Sequence, residues 1–299
     1  MFGTQGTDHM IAKIIFGMVL AVVLPLAGQA RAAEAAATEP EVETYARIDN
    51  VPLTARIFRP TEQSNAPRAA IVLFHGGGWN KGDASWMDGV AQRLATAGLV
   101  AISVDYRLSD QKTTTPFDAV SDARAAMRWV RSNATRLGID PKRIASGGTS
   151  AGAHLAVATA IFDDPWGDAV SARPDALVLR SAAVSTADST WFRKLTGGTA
   201  QAASLSPDLH VRPGMPPAIV LQGAEDNVTP AAGVQRFCDR MRQSGNRCDL
   251  QLYPGVGHLF TRNLQQQEIP DYDAIDRDIA ADANARTVAF LRDIGFAQP

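Results

Sequence analysis

Apolar and polar positions along the chain change period repeatedly, and the changes divide it into short elements. Residues 42–59 read as two extended segments, "VETYARIDN" and "LTARIFRP", ended by Pro60, and "TEQSNAPR" is a polar loop. "AAIVLFHGGGW" is a continuous apolar run that ends in glycines, the pattern of a strand buried on both faces. "MDGVAQRLATAG" has helical spacing with Gly98 as its C-terminal stop, and "LVAISVDYR" is a second buried strand. "PFDAVSDARAAMRWVRSNATRLG" predicts one long amphipathic helix, with Pro116 near its start and Gly138 at its end.

The alternation continues to the C-terminus. "KRIASGG", "DALVLRSAAV", "PAIVLQGAED" and "CDLQLYPG" predict strands, and "AGAHLAVATAIF" and "PAAGVQRFCDRMRQSG" predict helices. About 30 residues before Pro213 look irregular, and a last helix is expected from Asp276 to Asp293. Strands buried on both faces that alternate with helices define an α/β fold: a mostly parallel sheet with helices on both faces. Ligands of such sheets bind beyond the carboxyl ends of the strands, which directs attention to the residues that follow each strand.

The N-terminus has a different pattern. After Met10 come Lys13, an apolar run from Ile14 to Leu26, and a small-residue segment in which Ala30 and Ala32 fit an A-x-A cleavage site. Residues 1–32 are therefore expected to be a secretory signal starting at Met10 and cut after Ala32. The run falls short of the ~20 apolar residues that span a bilayer, so no membrane span is expected after cleavage. A periplasmic or secreted protein is implied, with residues 33–299 as one domain. Over the whole 299 residues the formal net charge is −2, which gives no basic field for nucleic acid. No CxxC or HExxH pattern occurs, and no metal site is expected. In an oxidising compartment Cys238 and Cys248 can form a helix-to-strand disulfide across a "GN" turn. Two free buried thiols are the alternative, because the sequence does not give the Cα separation.

Chemistry concentrates at four predicted strand ends. Ser150 lies in Gly148-Thr149-Ser150-Ala151-Gly152 between a strand and a helix, the G-x-S-x-G nucleophile elbow in its proper context. A plain tight turn is the bland reading. A serine hydroxyl needs a base, and histidine has the matching pKa. Of the five histidines, His9 is in the leader, His154 lies one helical turn past Ser150 and is expected to pack locally, and His210 is in the irregular segment. His75 and His258 follow strands, and the glycine-rich loop "YPGVGHLF" leaves His258 free to reach back over the sheet. Asp226, after "PAIVLQG", is the candidate carboxylate that orients it, with Glu225 an adjacent competitor and helix capping the bland role. "HGGGW", His75 to Trp79, offers bare backbone N–H groups for an oxyanion, joined by that of Ala151.

With these residues the chain resembles the α/β-hydrolase superfamily, in the hormone-sensitive-lipase-like and acetyl-esterase branch that carries HGGG. The resemblance extends through "FHGGGWNKGD", "VDYRL", "GGTSAGAHLA", "SPDLHV", "PPAIVLQGAEDNVTP" and "CDLQLYPGVGH". It implies an α/β-hydrolase fold with Ser150, Asp226 and His258 as catalytic triad, and Gly77, Gly78 and Ala151 as oxyanion donors. It also implies that His75 and Asp83 hold the loop. Thr149 and Ala153 depart from the family, where many members have an acidic residue and a glycine. The implied activity is ester hydrolysis through an acyl-enzyme, with no cofactor. Residues 33–68 look extended rather than helical, so a small or absent cap is expected. An open cleft suits small acyl groups on a bulky or polar alcohol, including acetylated oligosaccharides; Trp79, Trp86 and Trp191 offer stacking surfaces for sugar rings, with packing in their loops the alternative role. Kynurenine-formamidase-like amide hydrolysis and a non-catalytic binding protein of the same fold are the alternative functions.

Overall fold

A computed structural model describes residues 39–62, 64, 66–162, 169–268 and 271–297; the expected leader, residues 1–32, lies outside them. Eight strands form one sheet: β1 (Glu41–Ile48), β2 (Val51–Phe58), β3 (Arg68–Phe74), β4 (Val100–Val104), β5 (Ile139–Thr149), β6 (Ala176–Arg180), β7 (Ala218–Gly223) and β8 (Cys248–Tyr253). Their order is β1-β2-β4-β3-β5-β6-β7-β8. β1 and β2 are antiparallel to their neighbours, and all other pairings are parallel.

The alternation of side chains along β3 shows why the central strands are apolar throughout. Ala70, Val72 and Phe74 face one core, and Ala69, Ile71 and Leu73 face the other. The first core is covered by α2 (Pro116–Ser132), α4 (Ala151–Ile161) and α7 (Ala231–Gln243). The second lies under α1 (Asp88–Thr96) and α8 (Arg277–Asp293). α4 is buried along its whole length, which explains its lack of a polar face.

Three local expectations are corrected. The long helix predicted over 116–138 breaks at Asn133, and a single turn, α3 (Ala134–Leu137), follows it. Asn133 ends α2 and turns its side-chain amide back to the Trp129 carbonyl (2.9 Å). The strand predicted to reach Val184 stops at Arg180, because Ser181 takes a φ of 44° that no strand continues. The irregular segment contains two short helices, α5 (Thr190–Thr196) and α6 (Thr199–Ser204). Gly197 and Gly198 separate them, both at positive φ. Together they form a small cap, anchored by Asp208, which accepts hydrogen bonds from Ser206 (2.7 Å) and Ser185 (3.0 Å). Cys238 of α7 and Cys248 of β8 are joined by a disulfide with Cα atoms 5.3 Å apart.

Candidate active site

β5 runs through the middle of the sheet and delivers Ser150 at its carboxyl end, directly before α4. The turn between them is sharp enough to hold Ser150 at φ 56°, ψ −119°. Such a backbone is costly for a residue with a side chain and persists only where its surroundings enforce it. Here they do. The Ser150 N–H donates to the Arg180 carbonyl at the end of β6 (3.0 Å). A β-carbon on Gly148 would meet the Gly152 carbonyl carbon at 2.4 Å, and one on Gly152 would lie 2.0 Å from the Phe74 carbonyl oxygen. The small residues around Ser150 are imposed by contact between backbones.

Asp226 and His258 come from the loops after β7 and β8, which touch: a β-carbon on Gly223 would stand 2.3 Å from the Gly257 carbonyl oxygen. His258 Nε2 lies 3.1 Å from Ser150 Oγ, and its Nδ1 lies 2.8 Å from Asp226 Oδ2. Since a carboxylate only accepts, Nδ1 carries the proton and Nε2 presents its lone pair to the serine. Asp226 is buried and well supplied with donors. Its Oδ1 accepts from the N–H groups of Val228 (2.9 Å) and Thr229 (2.7 Å), and Oδ2 also accepts from Gln222 Nε2 (2.8 Å). These bonds close a turn before α7 and do not cap the helix, whose N-cap is Pro230. Glu225, the competitor, points to solvent.

Two glutamines that the sequence did not single out hold this arrangement. Gln222 ties Asp226 to the chain after β6, its Oε1 accepting from Ala182 N–H (2.9 Å). Gln267 cross-braces the acid and histidine loops. Its Oε1 accepts from Asn227 N–H (3.0 Å) and His258 N–H (2.9 Å), while Nε2 donates to the Glu225 carbonyl (2.9 Å). Gln222 interrupts the apolar run of the predicted strand "PAIVLQG", which is a signal in itself, whereas Gln267 stands in no motif or periodic pattern. Both amides are buried in the fold.

The loop after β3 faces the elbow. A β-carbon on Gly76 would stand 3.4 Å from Ser150 Cβ. The Gly77 carbonyl accepts from Asn80 and Lys81 N–H (both 3.2 Å), whereas the N–H groups of Gly77, Gly78 and Ala151 bond no described residue. His75 and Tyr106 fix the base of this loop. The Tyr106 hydroxyl donates to the His75 carbonyl (2.9 Å), the two rings stack at 4.2 Å, and His75 Nδ1 donates to the Gly76 carbonyl (2.6 Å). Burial pushes the His75 pKa down despite that last bond, so the ring is neutral at pH 7.

Asp83, expected to hold the loop with His75, does something else. It is exposed and accepts from the Ser85 N–H (2.8 Å) and hydroxyl, capping the turn at residues 84–87. The far end of the loop is held instead by Trp79, whose carbonyl accepts from Ser109 N–H (2.7 Å). Trp79 is buried, so it offers no stacking surface; Trp86 and Trp191 remain exposed. The Trp191 indole N–H of α5 donates to the Gly78 carbonyl (3.1 Å), which fastens the cap to the loop.

His154 is the meeting point of three elements. Its Nδ1 accepts from the Trp79 indole N–H (3.3 Å), and its Nε2 donates to the Leu205 carbonyl after α6 (2.9 Å). The rings of Trp79, His154 and Phe192 pack together at 4.6–5.2 Å. Burial pushes the His154 pKa down to about 4. Among the described residues no cluster of three or more His, Cys, Asp or Glu side chains is placed to hold a metal ion.

This fold and site define a class. A family model described as alpha/beta hydrolase fold matches residues 71–262. The chain belongs to the α/β-hydrolase family. Esterase 2 of Thermogutta terrifontis superimposes with a TM-score of 0.78 at 32% identity, over 88% of this chain and 97% of that one. Carboxylesterase NlhH of Mycobacterium tuberculosis is 38% identical over 118 residues, 39% of this chain and 35% of that protein. The arylesterase of Saccharolobus solfataricus is 36% identical over 118 residues, 39% of this chain and 37% of that protein. The chain thus spans little more than a third of the length of these last two relatives.

Proposed function

We propose that this protein is a serine carboxylesterase that hydrolyses short-chain, acetyl-type esters. The observation that carries the reading is the aligned Ser150–His258–Asp226 relay (3.1 and 2.8 Å) beside three backbone N–H groups that bond no described residue. Ser150 Oγ attacks the ester carbonyl while His258 Nε2 takes its proton. The oxyanion that forms accepts from the N–H groups of Gly77, Gly78 and Ala151. His258 returns the proton to the departing alcohol. Water, deprotonated by the same nitrogen, then hydrolyses the acyl-enzyme. Asp226 keeps the proton on Nδ1 and stabilises the imidazolium throughout.

The preference for short acyl groups rests on the small cap of two helices. Structures of the Thermogutta terrifontis esterase with propionate and with butyrate bound support it by analogy. Exposed Trp86 and Trp191 at the rim of the loop favour a carbohydrate as the alcohol part, so an acetylated oligosaccharide is the proposed substrate class. The leader pattern of residues 1–32 supports export to the periplasm or beyond.

Purified protein assayed on p-nitrophenyl acetate, butyrate and decanoate, with N-formylkynurenine in parallel, tests the proposal. Acetate and butyrate are expected to turn over fastest, and Ser150→Ala to lower kcat/KM by about 10⁴-fold or more. Activity that survives Ser150→Ala refutes the mechanism, and a preference for decanoate refutes the short-acyl site. Faster turnover of N-formylkynurenine than of any ester moves the reading to amide hydrolysis.

A further inference from the structure

Behind the elbow, on the opposite face of the sheet, lies a cavity of about 40 Å³ between α1, α8 and the ends of the central strands. Its walls are aliphatic except for Arg93 of α1, Thr149 and Arg180 at the strand ends, and Asn284 and Thr287 of α8. Arg180 donates to Asn284 Oδ1 (2.6 Å) and lies 5.5 Å from the centre of the Phe260 ring. Among the described residues its remaining N–H groups have no acceptor, and no carboxylate lines the cavity. Arg93, at the exposed rim, forms no ion pair with a described residue. The Thr149 hydroxyl likewise bonds no described residue.

A half-buried guanidinium such as that of Arg180 loses part of its hydration, a cost that an opposite charge offsets, and here the nearby charge has the same sign. Burial, with repulsion from Arg93 second, pushes Arg180 down to about 10, and burial also lowers Arg93. The cavity exceeds the ~10–15 Å³ that admits one water. We propose that this cavity is a binding site for a small monovalent anion of chloride size, held between the guanidinium groups of Arg93 and Arg180. Thr149 Oγ1 is the third donor. The site is separate from the ester cleft but shares its frame, because Thr149 precedes Ser150 and the Arg180 carbonyl holds the Ser150 N–H.

The test needs no enzymatic activity, so it stands apart from the esterase reading. Thermal unfolding and ³⁵Cl NMR line width are followed as sodium chloride replaces sodium gluconate at constant ionic strength. A saturable rise in Tm is expected, about 3–5 °C at ten times the half-saturating chloride, together with excess ³⁵Cl broadening. Arg180→Met is expected to abolish both effects. Arg93→Gln, at the rim and neutral to the fold, is expected to raise half-saturation at least tenfold and decides the matter if Arg180→Met does not fold. No saturable response in the wild type, or an unchanged half-saturation in Arg93→Gln, overturns the proposal.

Discussion

Gly152 is the residue at which the site tolerates least. Its α-carbon lies so close to β3 that a methyl group would overlap the Phe74 carbonyl oxygen at 2.0 Å and that of His75 at 2.5 Å. Backbone atoms of a central strand cannot step aside, so Gly152→Ala must push α4 outward and with it Ser150. Destabilisation of at least about 3 kcal/mol is expected in urea unfolding, with loss of esterase turnover in whatever protein remains folded. The neighbouring glycines and Ser150 were legible in the sequence because a strand, a turn and a helix had to meet there. Asp226 and His258 were legible because they also follow strands. Burial separates Asp226 from Glu225, a distinction that two adjacent acids in one sequence do not carry. Gln267 was not legible at all: it acts through backbone groups of residues far from it in sequence.

At the scale of elements, the cap and the oxyanion loop depend on one imidazole. His154 accepts from Trp79 through Nδ1 and donates to Leu205 through Nε2, and only the neutral ring does both. An exposed histidine in the unfolded chain titrates near 6.5, whereas in the fold His154 is held down to about 4. Between those values the unfolded chain binds a proton that the folded one refuses. Its contribution is therefore complete above about pH 6.5 and declines as pH falls toward 4, by about 1.4 kcal/mol per unit and ~3 kcal/mol over the window. Replacing His154 with Gln, which keeps one acceptor and one donor, is expected to remove this component. Urea midpoints at pH 7 and pH 4.5 measure it. The helices that meet at His154 escaped the sequence reading for a physical reason. α5 and α6 have seven and six residues and are divided by two glycines, too short for an apolar period to repeat. Of the two roles open to Trp79, stacking on a ligand or packing, the structure shows packing, because the cap covers its ring.

Across the whole molecule, the parallel sheet was legible and the ties that close it were not. β8 is one of the two edge strands of the described sheet, with β1 at the opposite edge, and the loop that follows β8 carries His258. The disulfide fastens that strand to α7 across a short loop of chain. By loop-closure entropy such a bridge is worth about 2–3 kcal/mol. The Cys238→Ser/Cys248→Ser double variant is expected to melt roughly 5–10 °C lower than the wild type by calorimetry, with little change in kcat at 25 °C. A loss of kcat without a change in Tm contradicts this assignment of the bridge to stability.

The spread of the site along the chain bears on when the protein becomes an enzyme. Ser150 and His258 are 108 residues apart, and the base arrives only with the last strand of the sheet. A chain emerging from the ribosome through β6 displays the serine and its glycine loop but has neither acid nor base. The half-made molecule is therefore chemically inert, and hydrolytic competence switches on only when the far edge of the sheet docks. Synthesis can therefore proceed without a reactive serine on the unfinished chain.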